Sequence, residues 1–143
     1  MNIVLDTNVL VSGLLTPFGS SGEIIRMISA GELILCIDAR ILSEYQEVLN
    51  RPKFQFSSEH TGVLIDFIKM HGQLISSLPL DRHLPDPDDE PFLEVAIAGK
   101  VQALITGNSA HFPLSSPEGV RIFSPTKFLE YYRKQNKKKN QDG

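Results

Sequence analysis

The sequence predicts an α/β protein, a three-layer α/β/α sandwich whose parallel sheet has about five strands. Short apolar runs rich in β-branched residues alternate along the chain with longer segments whose apolar residues recur at helical spacing. The short runs are apolar at nearly every position, which is typical of strands covered by helices on both faces of a sheet. The length of 143 residues corresponds to one domain.

The predicted strands are short runs without polar alternation, too short for helices. They span residues 2–5, 33–37, 73–75, 101–106 and 120–123, and the third is the weakest. The predicted helices lie between them. The first predicted helix is capped by Ser20 or Ser21 and stops at Gly31, and the second runs from Asp38 to Pro52. The third spans residues 58–70, and the fourth spans residues 92–98 with Asp89 as its cap. The fifth begins at Pro125.

Composition excludes several classes of protein. A hydrophobic fraction of 41% and a charged fraction of 22% exclude global disorder. The longest uncharged apolar run, residues 9–15, is far shorter than the roughly 20 residues that span a bilayer, so we expect no membrane segment. The single cysteine, Cys36, excludes an intramolecular disulfide and a multi-cysteine zinc site, and we expect a cytoplasmic protein.

Charge divides the chain into an acidic body and a basic end. Residues 127–143 carry six basic and two acidic side chains, whereas the remainder carries eight basic and 15 acidic ones. We therefore expect a folded domain over 1–132 and a basic, disordered tail over 133–143. The tail could contact an RNA backbone or be a solvated end, and the sequence leaves both open.

Carboxylates fall where a parallel sheet forms its ligand sites, beyond the carboxyl ends of the strands. Asp6 follows the first strand, and Asp89 begins the helix that leads to the fourth. Clustered carboxylates repel one another unless a cation or a shared proton lies between them, and hard divalent cations prefer oxygen ligands. Because the chain has no P-loop, GxGxxG, GxSxG or HExxH motif, metal-assisted phosphodiester hydrolysis is the leading chemistry.

Four segments resemble the motifs of the PIN-domain ribonucleases, a family that includes the toxins of many prokaryotic toxin–antitoxin pairs. They are Ile3–Ser12, Ser43-Glu44-Tyr45, Asp86–Ala96 and Ala103–Asn108, in the family's order. The resemblance extends from Met1 to about Tyr132.

The resemblance implies a metal site formed by Asp6, Glu44 and Asp89, which would also be the catalytic carboxylates, with Asn108 as a further metal ligand. It also implies sheet order 3-2-1-4-5 and Mg²⁺- or Mn²⁺-dependent cleavage of RNA. The implied partners are an RNA substrate, an antitoxin protein and a second copy of the chain in a homodimer.

Asn8 and Thr106 would support this site through hydrogen bonds, and Ser12 would either contact substrate or cap the following turn. The chain departs from the family at Asn108, where aspartate is usual. Asparagine keeps a carbonyl ligand but loses a charge, so a second metal would bind more weakly. The alternative function is therefore a catalytically weak module that binds RNA or protein.

Each site residue also has a simpler interpretation. Glu44 could be a solvated helix residue paired with Arg40, and Asp89 could be only a helix cap. Asp86 and Asp88 are interpreted as turn residues. The four histidines are interpreted as surface residues, although His111 lies close after Asn108 in sequence and could contact the site. Phosphoaspartyl proteins on similar sheets are a third class, but the acidic pair of receiver domains and the Asp-x-Asp of haloacid-dehalogenase-type phosphatases are missing after the first strand.

Overall fold

A computed structural model describes residues 1–113 and 119–142, with side chains described through residue 139. The strands are β1 (Asn2–Leu5), β2 (Ile34–Ile37), β3 (Gln73–Leu74), β4 (Ala103–Ile105) and β5 (Arg121–Phe123). The helices are α1 (Thr7–Leu15), α2 (Ser20–Ser29), α3 (Ala39–Leu49), α4 (Ser58–His71), α5 (Glu90–Ala98) and α6 (Pro125–Asp142).

The five strands form one parallel sheet in the order β3-β2-β1-β4-β5. This confirms the predicted α/β fold class and strand order. β1 lies at the centre, with Ile3 opposite Ala103 and Leu5 opposite Ile105 on β4. The apolar residues of β1 are fully buried because helices cover both faces of the sheet. The central position of β1 places Asp6 and Thr106 side by side at the carboxyl edge.

Helix α1 is the element that the sequence interpretation did not assign. Its residues Val9, Leu10, Val11 and Gly13 are all buried, so its exposed polar face is reduced to Asn8 and Ser12. α1 and α2 approach closely at Gly13, where a Cβ would lie 2.3 Å from Ile25 Cδ1. The expected cap of α2 was also wrong, because Gly19 occupies the cap position and α2 begins at Ser20.

The basic end differs from the predicted disordered tail, because α6 continues through Asp142. Lysine, arginine and glutamine are good helix formers, and Arg133 Nη2 lies 3.0 Å from Glu23 Oε1 on α2. Gly143 of the predicted tail, and residues 114–118 of the predicted domain, lie outside the described residues. Within the part of the chain that the structure describes, no helix is both long enough and apolar enough to span a bilayer.

Candidate functional site

Asp6 is at the centre of the site, between the end of β1 and the start of α1. Its backbone N–H donates to the Ile105 carbonyl at 2.9 Å, which continues the pairing of β1 with β4. Its Oδ2 accepts a hydrogen bond of 2.7 Å from the Thr106 hydroxyl, although the two residues are 100 positions apart in the chain. Asp6 is only 6% exposed. The sheet therefore fixes the orientation of a buried carboxylate.

Glu44 reaches the same region from α3. The Thr7 hydroxyl, next to Asp6, donates a hydrogen bond to Glu44 Oε2. The buried Tyr45 hydroxyl donates to the Leu5 carbonyl at 2.5 Å and thereby holds α3 against the end of β1. The interpretation of Glu44 as a solvated partner of Arg40 is wrong, because Arg40 pairs with other carboxylates and Glu44 is half-buried.

Asp89 occupies the cap position of α5, as predicted, but its side chain makes no capping hydrogen bond. The residue is 8% exposed, and Oδ2 is buried without a hydrogen-bond partner among the described residues. That oxygen lies 3.1 Å from His111 Nδ1, a close contact that lacks the angles of a hydrogen bond. Asp86 is a turn residue, as interpreted, since its Oδ1 accepts the Asp88 N–H at 2.9 Å.

The loop after β4 is held by the predicted supporting residues. Asn8 Oδ1 accepts the Gly107 N–H at 3.2 Å, and the Thr106 hydroxyl accepts the Asn108 N–H at 3.1 Å. The Asn108 side-chain amide lies 2.9 Å from His111 Nε2. Ser12 is exposed on α1, and its carbonyl accepts the Thr16 hydroxyl. No hydrogen bond of the described residues joins the Ser12 side chain to the carboxylates.

The charge of Asp6 opposes the ionisation of both Glu44 and Asp89. Burial raises the pKa of Asp6, against the hydrogen bond from Thr106. Burial and the charge of Asp6 raise the pKa of Glu44, whereas the hydrogen bond from Thr7 lowers it and offsets part of the rise. Burial, with the charges of Asp6, Asp86 and Glu44, raises the pKa of Asp89 to about 6, although the charge of His111 opposes the rise. Among the ion pairs of residues 1–113 and 119–139, none brings a lysine or arginine to these carboxylates.

Asp6, Glu44 and Asp89 carry the oxygen donors that a divalent cation prefers, but their side chains do not surround one position. Carboxylate oxygens suit hard cations, and the unpartnered buried oxygen of Asp89 is the atom that such an ion would satisfy. As the described side chains stand, no three histidine, cysteine, aspartate or glutamate residues are close enough to hold one ion together. Cation binding would therefore require the side chains to draw together.

His111 is the residue that sequence reasoning undervalued. It lies on the short turn after β4 and contacts both Asp89 and Asn108 through opposite ring nitrogens. Its proximity to Asn108 in the sequence was the only available signal, because Asp89 lies on a different element.

Comparison with known proteins gives a family and a fold. A family profile described as the PIN domain matches residues 2–110. No curated protein matches the chain. One similar structure is that of VapBC2 from Rickettsia felis bound to a DNA fragment from its promoter, with 17% sequence identity and a TM-score of 0.56. The alignment covers 85% of this chain and 97% of the chain in that structure. The structure of FitAcB from Neisseria gonorrhoeae is also similar, with 15% sequence identity and a TM-score of 0.52, and the alignment covers 86% of this chain and 97% of the other.

Proposed function

Since this chain belongs to the PIN-domain family, we propose that it is a metal-dependent endoribonuclease that hydrolyses RNA phosphodiester bonds. The observation that carries the proposal is the presence of the buried Asp6 and Asp89 and the half-buried Glu44 at the carboxyl edge of the sheet, where the charge of Asp6 raises the pKa of both other carboxyl groups. A buried group of this kind lowers the stability of the metal-free protein, so its presence is explained by a cation that it binds.

Asp6, Glu44 and Asp89 would hold Mg²⁺ or Mn²⁺, with Asn108 at the fourth position of the proposed ligand set. The bound ion would polarise the phosphate and lower the pKa of a water molecule. The protein contributes the orientation of its carboxylates: Thr106 restrains Asp6, and Thr7 restrains Glu44. Because the pKa of Asp89 is raised to about 6, part of the Asp89 population is protonated in mildly acidic solution, and cation binding there releases a proton.

We also propose that the protein is the toxin of a toxin–antitoxin pair. The similarity of its fold to VapBC2 and FitAcB supports this placement, and so does the family match. Under the same proposal, the protein binds an antitoxin protein, acts in the cytoplasm and forms a homodimer. Co-purification with the product of the neighbouring gene tests the partner, and light scattering tests the dimer.

The second candidate function is a PIN-like module that binds RNA or protein and cleaves weakly. Asn108 favours it, because this side chain brings no negative charge to the cation and its amide contacts His111. A site with fewer charges binds a second cation less strongly, and two-metal hydrolysis needs both ions.

A cleavage assay on single-stranded RNA separates the two functions. We expect slow cleavage by the unmodified protein, faster with Mn²⁺ than with Mg²⁺, stopped by chelation and abolished by Asp6→Asn. Asp66→Asn is the matched control, because it removes the same charge from an exposed residue of α4. We expect Asn108→Asp to increase both metal affinity and cleavage rate.

The outcomes are distinct. If the unmodified protein and Asp6→Asn are equally inert while Asn108→Asp cleaves RNA, the protein is a binding module that has lost nuclease activity. Cleavage by Asp6→Asn at the unmodified rate would contradict the proposed site. An active unmodified protein that gains nothing from Asn108→Asp would show that a fourth carboxylate is dispensable.

A further inference from the structure

His111 lies between two proposed metal ligands without being assigned a role. Its Nδ1 is 3.1 Å from Asp89 Oδ2, and its Nε2 is 2.9 Å from the Asn108 amide. The His111 side chain is 45% exposed, so the ring lies at the mouth of the site and not within the core. Burial raises the pKa of Asp6 and of Asp89, and the charge of His111 opposes that rise at both carboxyl groups.

The contact between His111 and Asp89 is close but is not a hydrogen bond. Asp89 Oδ2 remains without a hydrogen-bond partner although it is buried and belongs to a residue only 8% exposed. Two ligand atoms that each lie about 2.1 Å from one cation, at right angles, are separated by about 3 Å. The Nδ1–Oδ2 separation of 3.1 Å matches the spacing of two adjacent ligands of one ion.

We propose that His111 supplies a nitrogen ligand to the cation beside Asp89, and that Asn108 orients the His111 ring and does not bind the cation itself. This inference rests on the proposed metal-dependent function and changes one member of its ligand set.

The contact with Asn108 explains how the ring would be held. A histidine that binds a metal through one nitrogen usually donates its other N–H to an oxygen. The Asn108 side chain ends in both an N–H₂ group and a carbonyl oxygen, and rotation of the amide by half a turn presents the oxygen to His111 Nε2. Nε2 then carries the proton, and Nδ1 is free to bind the cation next to Asp89.

A nitrogen ligand predicts the choice of metal. Mg²⁺ requires oxygen ligands in nearly ideal octahedral geometry, whereas imidazole suits the later divalent transition metals. Mn²⁺ accepts both carboxylate and imidazole ligands. A site with one imidazole among its carboxylates therefore favours Mn²⁺ over Mg²⁺, and this preference should disappear with the ring.

Metal titration and electron spin echo spectroscopy of the full chain test the inference. We expect His111→Ala to weaken Mn²⁺ binding by at least about tenfold in calorimetry, with little change in Mg²⁺ binding. The bound Mn²⁺ of the unmodified protein should show a ¹⁴N modulation that His111→Ala abolishes and Asn108→Ala retains. His60→Ala is the control, because it removes an identical side chain from the exposed side of α4.

A ¹⁴N modulation lost in His111→Ala supports the inference. The inference is overturned by Mn²⁺ binding without ¹⁴N modulation, by equal Mn²⁺ affinity in His111→Ala and the unmodified protein, or by absence of Mn²⁺ binding. The spectroscopic result on the unmodified protein needs no variant to fold. If the bound ion shows ¹⁴N modulation but the protein cleaves no RNA, only the proposed nuclease function is contradicted. If cleavage depends on metal but the bound ion shows no ¹⁴N modulation, only the assignment of His111 as a ligand is contradicted.

Discussion

Replacing Asp89 by asparagine should stabilise the metal-free protein at neutral pH. The pKa of Asp89 in the folded protein is raised from 3.8 to about 6 by burial and by the charge of Asp6. As the pH rises from about 4 to about 6, the unfolded chain loses its proton before the folded one does. The free energy of unfolding therefore falls through this interval, and the loss is complete above about pH 6.

The magnitude follows from the interval between the two pKa values. One pH unit corresponds to about 1.36 kcal/mol, so the interval gives an upper value of about 3 kcal/mol. Solvent screening at the open side of the site reduces this to about 2 kcal/mol. Because the Asp89 side chain makes no capping hydrogen bond, Asp89→Asn should retain the start of α5. The variant should be about 2 kcal/mol more stable than the unmodified protein at about pH 7.5.

Urea unfolding with a chelator present, at about pH 4 and about pH 7.5, measures this difference. The gain in stability should be present at the higher pH and nearly absent at the lower one. Asp66→Asn, at an exposed position on α4, controls for the general removal of negative charge. Added Mn²⁺ should stabilise the unmodified protein more than Asp89→Asn, because only the folded state offers the site. An equal gain at both pH values, or a loss of stability at neutral pH, would refute the argument from charge repulsion.

Two further predictions concern other parts of the molecule. Glu94→Gln should lower the free energy of unfolding by about 1–2 kcal/mol, because buried Glu94 binds the half-exposed Arg40 at 2.7 Å. Glu47→Gln removes only an exposed pair and should cost less than about 0.5 kcal/mol; equal effects in urea unfolding would contradict the difference in burial. Truncation after Arg133 removes four lysines, and the slope of log affinity for single-stranded RNA against log salt should decrease by up to about 3. An unchanged slope would identify residues 134–143 as a solvated end.

The fold and strand order could be predicted from the sequence because their signals are local or belong to a recognisable series of motifs. The runs at residues 2–5 and 101–106 are apolar throughout, and burial on both faces leaves that pattern in any parallel sheet. A helix was predicted to begin at Asp38, and this residue caps α3, where its Oδ1 accepts the Ile41 N–H at 2.9 Å. The same local rules failed for α1, whose burial on most sides leaves only a narrow polar face, and for the tail, whose lysines also favour a helix.

The sequence by itself determined which residues could form the site, whereas only the tertiary structure decided how they are paired. Thr106 donates to Asp6 across 100 positions because β1 and β4 are adjacent strands in the sheet. His111 contacts Asp89 because the turn after β4 lies against the start of α5, an arrangement that no spacing in the sequence records. Side-chain hydrogen bonds depend on separations of a few tenths of an ångström, and those separations are set by the packing of distant elements.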